Sequence, residues 1–206
     1  MRKIVTFDHV SADGYFTDPQ GNLNWVVQDP ELDRAAGEAM GEGGPGTLLF
    51  GRRTYEQFES FWPHALDSAR VSGDQTAPNP HQAIERSQGM HAMATWLSEA
   101  AKIVFSKTRK EASWKNTQFF SELDPPALAA MKAEPGGDIM IFGSGTIVSA
   151  LTGHGLIDEY EFVISPILLG NGRPLVSGLP SHAGLKLLKV QQFPTGNVKL
   201  RYARAS

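Results

Sequence analysis

Three short segments combine a glycine or serine with hydroxyl and basic side chains, and each directly follows an apolar run. The first is Gly51–Thr54 (GRRT), which follows TLLF. The second is Ser106–Arg109 (SKTR) after KIVF, and the third is Gly143–Thr146 (GSGT) after DIMIF. A small residue lets the backbone turn or approach a ligand closely. A helix that starts at such a turn attracts phosphate through its free N–H groups and its dipole.

Each segment alone could be ordinary turn chemistry, in which Thr54 and Thr146 only cap helices. Together the segments indicate several anion contacts spread over one cleft, which a dinucleotide with its pyrophosphate requires. Arginine adds planar, bidentate recognition of phosphate. The four cations in the first two segments would suit a third phosphate, which NADPH carries and NADH lacks.

The stretch DIMIFGSGTIVSAL, residues 138–151, has part of the layout of a Rossmann phosphate turn. Val148 stands where that fingerprint has its third glycine. The acids that follow, from Asp158 to Glu161, come early for the ribose contact and would repel a 2′-phosphate. The stretch therefore indicates a phosphate-binding turn in a different dinucleotide fold.

Strands and helices must position these turns. The sequence shows strand-like apolar runs that alternate with segments of helical spacing. Leu32, Ala35, Ala36, Ala39 and Met40 recur at helical spacing after Pro30, as do Tyr55, Phe58 and Phe61. Further helices are predicted over residues 93–101, 127–133 and 146–151. The predicted strands are residues 3–9, 47–50, 102–106, 117–120, 138–142, 159–170, 185–193 and 197–205.

This alternation implies parallel strands joined by crossover helices, and the last two strands imply an antiparallel hairpin. We therefore predict a single α/β domain over residues 1–206, with one mixed, mostly parallel sheet and helices on both faces. Ligands of such sheets bind at the carboxyl ends of the parallel strands, where the three segments lie. The polar stretch from residue 63 to 89 is predicted to be a long surface insert.

Composition excludes several classes of function. The 206 residues are 41% hydrophobic and 20% charged, which is typical of a globular protein with a sizeable core. The absence of cysteine excludes disulfides, zinc–cysteine sites and thiol catalysis. The net charge of −3 gives no case for nucleic acid, and the six histidines lack metal-ligand spacing. Without a membrane span or the apolar core of a signal peptide, a cytoplasmic location is expected.

Taken in order, the motifs resemble the dihydrofolate reductase-like superfamily. The resemblance is strongest to the branch that includes the reductase domain of bifunctional riboflavin-biosynthesis proteins. The matching pieces cover most of the chain: SADGYF, LLFGRRTYE, IVFSKT, IMIFGSGTIVSAL and GLIDEYEFVISPILLGNGRPL. This resemblance implies one dihydrofolate reductase-like α/β domain with eight strands, NADPH binding, and hydride transfer to a heterocycle.

The resemblance also implies which residues hold the cofactor. The first and third segments match turns against its phosphates, and the second matches the segment around the adenosine 2′-phosphate. The family commonly has two adjacent glycines in the third segment, where this chain has Ser144 between two glycines. The predicted cofactor-binding residues are Gly51, Arg52, Arg53, Thr54, Ser106, Lys107, Thr108, Gly143, Ser144, Gly145, Thr146 and Ile147.

The protonating end of the reaction is expected near the loop that runs from residue 11 to residue 25. Asp13 lies in a Ser-x-Asp-Gly motif shared with the riboflavin branch and is predicted to be catalytic and to contact substrate. Its alternative role is an Asp-Gly turn. Trp25 and Tyr55 are further predicted substrate contacts, and both could equally be core residues.

The helix after this loop offers three acids, Asp29, Glu31 and Asp33, as counterparts of the carboxylate with which folate reductases hold the pterin. Glu31 is the predicted catalytic residue among them. Acids in the first turn of a helix are also ordinary partners of its dipole.

The function predicted from these patterns is NADPH-dependent reduction of a small heterocycle, of the kind carried out by the 5-amino-6-(5-phosphoribosylamino)uracil reductase of riboflavin biosynthesis. Dihydrofolate reduction and a non-catalytic nucleotide-binding module are the alternatives. The chain lacks the zinc deaminase motif of the bifunctional proteins. A homodimer is expected because riboflavin-type relatives pair through sheet edges, whereas no nucleic-acid, membrane or metal partner is expected.

Overall fold

The computed structural model describes residues 1–42, 46–65 and 88–205, so most of the predicted insert from 63 to 89 lies outside the described residues. The strands are β1 (Ile4–Ser11), β2 (Tyr15–Thr17), β3 (Thr47–Gly51), β4 (Ala101–Phe105), β5 (Thr117–Phe120), β6 (Ile139–Ile141), β7 (Glu159–Ser165), β8 (Arg173–Pro174), β9 (Leu185–Gln192) and β10 (Val198–Arg204). The helices are α1 (Pro30–Glu42), α2 (Arg52–Phe61), α3 (Gln88–Glu99), α4 (Pro125–Ala133) and α5 (Gly145–Gly153).

Eight strands form one sheet in the order β5-β4-β3-β6-β1-β7-β10-β9. The five strand pairs from β5 to β7 are parallel, and the two pairs that involve β10 are antiparallel. This sheet confirms the predicted fold, a mostly parallel dihydrofolate reductase-like sheet closed by a hairpin.

Helices cover both faces of the sheet because apolar residues run through its central strands on both sides. In β3, Leu48 and Phe50 pack in the cluster that α1, α2 and α3 complete, while Leu49 packs in the cluster with α4 and α5. All three side chains are fully buried. Burying each of them stabilises the fold by about 1.5–3 kcal/mol.

The structure differs from the sequence-based prediction around β7 and β8. The strand predicted over residues 159–170 ends at Ser165, because Pro166 has no N–H to continue the ladder. The chain then returns as β8, which pairs with β2 in a separate two-stranded sheet. Strands of three and two residues are too short to leave a periodic pattern, so the sequence did not predict this pair.

The length of β6 decides where the sheet opens. Its pairing with β1 stops at Thr6 and Ile141, whereas β1 continues beside β7 as far as Ser11 and Ser165. Beyond Thr6, β1 therefore has a strand on one side and the turn after β6 on the other.

None of the helices within the described ranges is long and apolar enough to cross a bilayer.

Candidate active site

A cleft of about 1110 Å³ opens at the carboxyl ends of β1, β3, β4 and β6. Parallel pairing brings these ends to one edge of the sheet, as expected for a ligand site in an α/β fold. All the predicted cofactor-binding residues line the cleft except Thr108, which is exposed outside it. The lining from the three segments is Gly51, Arg52, Arg53, Thr54, Ser106, Lys107, Gly143, Ser144, Gly145, Thr146 and Ile147.

The turn from β6 into α5 has two consecutive residues in the left-handed region. Gly143 has φ +71, and a Cβ there would lie 2.7 Å from Cζ of Phe16. Ser144 has φ +70 and precedes the first residue of α5, with no side-chain capping hydrogen bond. A non-glycine residue in this conformation costs roughly 1–2 kcal/mol, which explains why glycine is common at this position in the family that the sequence resembles.

The first and third segments touch each other through Ser144. A Cβ on Gly51 would clash with Oγ of Ser144 and lie 2.9 Å from its Cβ. The serine side chain therefore fills the space that the missing Cβ of Gly51 leaves open. This contact fixes the distance between the starts of α2 and α5, both of which face the cleft.

Helix α2 starts directly at the cleft and carries its cations in the first turn. Gly51 is its N-cap and makes no side-chain capping bond. Arg52 follows, and its Nη1 lies 2.9–3.0 Å from both carboxylate oxygens of Glu56, one helical turn away. Its side chain remains 39% exposed, so the guanidinium is accessible from the cleft.

The second segment is a tight turn organised by Ser106. Its Oγ accepts hydrogen bonds from the backbone N–H of Arg109 at 2.8 Å and of Thr108 at 3.3 Å. The turn leaves Lys107 on the cleft wall. Arg109 turns away and pairs with Glu59 of α2, at 2.7 Å between Nη2 and Oε2.

Tyr55, a predicted substrate contact, lies in the aromatic core instead of the cleft. It is fully buried between Phe50, Trp114 and Phe119, at ring-centroid distances of 5.5–6.3 Å. Its hydroxyl donates to Oε1 of Glu59 at 2.7 Å. Burial raises the pKa of Tyr55 to about 12, so the hydroxyl stays a donor.

Glu59 joins α2 to the second segment. Besides Tyr55 and Arg109, it accepts hydrogen bonds from the N–H and hydroxyl of Ser113. Burial by itself would raise the pKa of Glu59, but these hydrogen bonds outweigh it and lower the pKa to about 2. The carboxylate, ionised at neutral pH, holds the loop after β4 against α2, beside the cleft.

Asp13, a predicted catalytic residue, also lies outside the cleft wall. Its carboxylate accepts hydrogen bonds from the Ser11 hydroxyl at 2.6 Å and from the N–H groups of Leu169 and Gly170 at 3.1 and 2.7 Å. These bonds, first that of Ser11, lower the pKa of Asp13. The geometry thus supports the alternative role, a turn that also anchors the loop after β7.

The helical phase of α1 separates Glu31 from the cleft. Asp29 caps the helix, with Oδ1 accepting from the N–H groups of Glu31 and Leu32 at 3.0 and 3.1 Å. Glu31 then points to solvent, Leu32 enters the core, and Asp33 lines the cleft. Residues two apart on a helix differ in direction by about 200°. The carboxylate that α1 brings to the cleft is therefore Asp33, not the predicted catalytic Glu31.

Asp33 sits in surroundings that favour its protonated form. Burial is the main cause and the Asp29 carboxylate the second, and together they raise the pKa of Asp33 to about 6. Trp25, the remaining predicted substrate contact, is half-buried and not part of the cleft wall. The loop contributes Leu23 there instead.

Two further cleft residues, Asp8 and His9, come from β1 and were not predicted. Asp8 is buried, and burial raises its pKa to about 7 against the opposing effects of the Thr6 hydroxyl and the Gly143 backbone. The only signal in the sequence is an aspartate inside the apolar strand IVTFDHV. Within the described ranges, no three His, Asp or Glu side chains form a cluster that could hold a metal ion.

Comparison with known proteins identifies the family. Residues 2–199 match the family described as RibD C-terminal domain. The chain belongs to the RibD C-terminal domain family. It is also 25% identical over 206 residues to the uncharacterized protein YyaP of Bacillus subtilis (strain 168), a match that covers 98% of this chain and 95% of YyaP. Membership places the chain in a family of oxidoreductases.

Solved structures share the fold of this RibD C-terminal domain protein. A putative riboflavin biosynthesis protein from Shewanella sp. PV-4 superposes with a TM-score of 0.69 at 23% identity, and the match covers 100% of both chains. Dihydrofolate reductase from Enterococcus faecalis, in complex with NADP(H) and RAB-propyl, gives a TM-score of 0.56 at 12% identity. That match covers 99% of this chain and 97% of the other.

The contact between Gly51 and Ser144 generates a prediction for this RibD C-terminal domain protein. Gly51→Ala alone should lower the free energy of unfolding by about 1–3 kcal/mol, because the new methyl overlaps Ser144. In the Ser144→Gly background the same change should cost little, since the nearest remaining atom, Cδ1 of Ile147, is 3.9 Å away. Urea denaturation of the two single variants and the double variant gives the coupling energy.

Ser144→Gly by itself serves as the control. It removes the cost of a serine in the left-handed conformation, but it raises the conformational entropy of the unfolded chain. These effects oppose each other, so the net change in the free energy of unfolding should be small. Additive effects, within about 0.5 kcal/mol, would show that the two turns do not depend on each other.

Proposed function

We propose that the protein is an NADPH-dependent reductase of a small heterocycle, of the 5-amino-6-(5-phosphoribosylamino)uracil reductase type. The observation that carries the proposal is that three phosphate-type strand ends and the Asp33 carboxylate line one cleft. The riboflavin-type family and the NADP(H)-bound dihydrofolate reductase with the same fold support it.

The residues present fit a dinucleotide. Helices α2 and α5 both start at the cleft, and the N-cap of each lacks a side-chain capping bond. The N–H groups of a first helical turn have no partners inside the helix, so both starts are suited to phosphate oxygens. Arg52, Arg53 and Lys107 add positive charge along the same wall. The cleft exceeds the usual pocket of about 300–1,000 Å³ for one small ligand, which leaves room for a substrate beside the cofactor.

Another part of the lining suits a planar substrate. Phe58, Trp62, Met93 and Leu23 give it an apolar surface, and Asp33 gives it a proton-holding group. When bound, NADPH supplies a hydride to the carbon of a C=N bond, and the nitrogen must then gain a proton. Asp33, with a pKa of about 6, holds that proton at the cleft and can donate it, directly or through a water molecule.

Dihydrofolate reduction is the second candidate function. The observation that favours it is the carboxylate on α1, because folate reductases hold the pterin with one carboxylate in the corresponding helix. A non-catalytic nucleotide-binding module is the third candidate, and it requires neither Asp33 nor a substrate wall.

One assay distinguishes these functions. Oxidation of NADPH is followed at the nicotinamide absorbance with the ribosylaminopyrimidine phosphate and, separately, with dihydrofolate. Turnover of the first supports the proposal, and turnover of only the second supports the alternative. If NADPH raises the melting temperature and neither substrate reacts, the binding module is favoured. If NADPH leaves the melting temperature unchanged, the cofactor proposal is wrong.

The cations of the cleft should discriminate between cofactors. Arg52→Ala and Lys107→Ala should each weaken NADPH binding by roughly 10–100-fold, since a charge-assisted hydrogen bond contributes about 1.5–3 kcal/mol. The same changes should affect NADH less, because it lacks the 2′-phosphate. Isothermal titration calorimetry with both cofactors measures the difference. Exposed Lys110, outside the cleft wall, provides Lys110→Ala as the control. Equal weakening of both cofactors would remove the 2′-phosphate from the proposal.

Asp33 should control both the rate and its dependence on pH. A general acid works in its protonated form, so kcat/KM should fall as pH rises through about 6, the pKa of Asp33. Asp33→Asn should lower kcat by roughly 10²–10⁴-fold and abolish that pH limb. Glu31→Gln, on the solvent side of the same helix, is the matched control and should retain wild-type kinetics. A pH limb that survives in Asp33→Asn would assign proton transfer to another group.

We also propose that the protein forms a homodimer through β9. This strand lies at the edge of the sheet, and its side chains are exposed on both faces. Leu187, Leu188 and Val190 are 51%, 48% and 54% exposed. An edge strand with exposed apolar side chains can pair with a second strand, and two-fold pairing of β9 with its own copy would cover them despite the interspersed Lys186 and Lys189.

Light scattering after gel filtration measures the oligomeric state and so tests whether β9 pairs with its own copy. The wild type is expected as a dimer at micromolar concentration, and the pair of changes Leu187→Lys and Val190→Lys should give a monomer. NADPH binding by the variant serves as the folding control. A monomeric wild type would show that the edge does not pair.

A further inference from the structure

Asp8 occupies the position in β1 where the sheet opens. Thr6 is the last residue of β1 in register with β6, and Asp8 lies two residues further on, beside the glycine turn at Gly143. On the other side β1 still pairs with β7, so Asp8 is held in a rigid strand. Its residue surface is only 2% exposed, and it forms part of the cleft wall.

One of the two carboxylate oxygens of Asp8 lacks a protein partner. Oδ2 accepts a hydrogen bond from the hydroxyl of Thr6. Oδ1 is buried, and no donor within the described part of the chain meets hydrogen-bond geometry with it, although the Gly143 backbone lies close enough to lower the pKa of the carboxyl. A buried acceptor without a partner costs about 1–3 kcal/mol, and native structures contain few of them.

Stability does not account for an aspartate at this position. A buried carboxyl with one oxygen unpartnered is less favourable than an apolar side chain of similar size. Burial also raises the pKa of Asp8 to about 7, which means that the folded protein resists its ionisation. On the same face of β1, Ile4 and Val10 are apolar and pack in the core cluster with α4 and α5, while Thr6 offers a polar group to Asp8. A ligand that donated an N–H group to Oδ1 would remove this cost.

We infer that Asp8 is a ligand-binding residue, whose Oδ1 accepts a hydrogen bond from an N–H group on a planar ring bound beside the Gly143 turn. The inference rests on the proposed function, because that function supplies two rings with such groups. One is the carboxamide-bearing nicotinamide ring, and the other is an amino-substituted pyrimidine. Both present an N–H donor in the plane of the ring, and Asp8 distinguishes them from rings that carry only acceptors.

Three probe ligands show whether the N–H donor belongs to the nicotinamide ring or to the pyrimidine. NADP⁺ carries the nicotinamide ring, 2′,5′-ADP carries the same adenosine phosphates without that ring, and 5,6-diaminouracil carries the pyrimidine donors. Titration calorimetry measures NADP⁺ and 2′,5′-ADP with the free protein, and 5,6-diaminouracil with the protein saturated by NADP⁺.

Two variants separate the acceptor from general damage to the cleft. Asp8→Ala removes Oδ1, whereas Asp8→Asn keeps an oxygen at that position and places its amide N–H₂ toward the Thr6 hydroxyl. Asp8→Ala is expected to weaken NADP⁺ or 5,6-diaminouracil by roughly tenfold or more, and to leave 2′,5′-ADP within about twofold. Asp8→Asn should bind within a few-fold of the wild type. The probe that loses affinity identifies the ring.

Three results would overturn the inference. Asp8→Ala could bind NADP⁺ and 5,6-diaminouracil like the wild type, which would leave Oδ1 without a ligand. It could weaken 2′,5′-ADP as much as the other probes, which would indicate a distorted cleft. Asp8→Asn could lose as much affinity as Asp8→Ala, which would exclude a simple acceptor. Failure of the wild type to bind either NADP⁺ or 2′,5′-ADP removes the proposed cofactor. In that case 5,6-diaminouracil is titrated into the free protein, and equal affinity for the wild type and Asp8→Ala overturns the inference.

Discussion

The early end of β6 is the constraint on which the candidate site depends. A parallel strand in the middle of a sheet normally closes the gap between its neighbours, but β6 pairs with β1 over only three residue positions. Its chain then enters a turn with two left-handed residues, Gly143 and Ser144, and starts α5. The continuing part of β1 is left facing this turn, and a cleft follows because no strand fills the space.

The walls of the cleft are held together by contacts between its own lining residues and by contacts behind them. Ser144 packs into the space above Gly51 and sets the separation of two helix starts. Elsewhere on α2, the Glu59 carboxylate accepts hydrogen bonds from Tyr55, Arg109 and Ser113. Because the Glu59 pKa is about 2, this junction keeps its charge throughout the pH range in which the cleft carboxyls titrate. The three segments are therefore held close to one another by the core and by the turns.

The sequence was sufficient for the sheet and for the three strand ends because both depend on local pattern. Apolar runs followed by small and hydroxyl residues mark the carboxyl ends of strands wherever they fall in the fold. Side-chain direction on a short helix or in a loop was harder to predict. Glu31 and Asp33 look equivalent in the sequence, and only the packing of Leu32 into the core decides that Asp33 faces the cleft. The surroundings of Tyr55 and Asp13 were also hard to predict, since partners such as Phe119 and Gly170 are remote in sequence.

The electrostatics of the cleft are divided between its two ends. The cations lie at the start of α2 and in the turn after β4, whereas Asp8 on β1 and Asp33 on α1 lie in surroundings that raise their pKa values to about 7 and about 6. Side chains alternate between the two faces of β1, so Asp8 and Thr6 share one face and Phe7 packs toward α1 on the other. Asp33 belongs to α1, so Asp8 and Asp33 reach the end of β1 from opposite faces of the sheet. A ring bound across the end of β1 would thus meet one carboxyl from each face of the sheet. A strongly anionic ring would be repelled from this end, while the anionic phosphates are attracted to the other. For the proposed dinucleotide, this charge distribution favours phosphates near Arg52, Arg53 and Lys107 and a ring near Asp8 and Asp33.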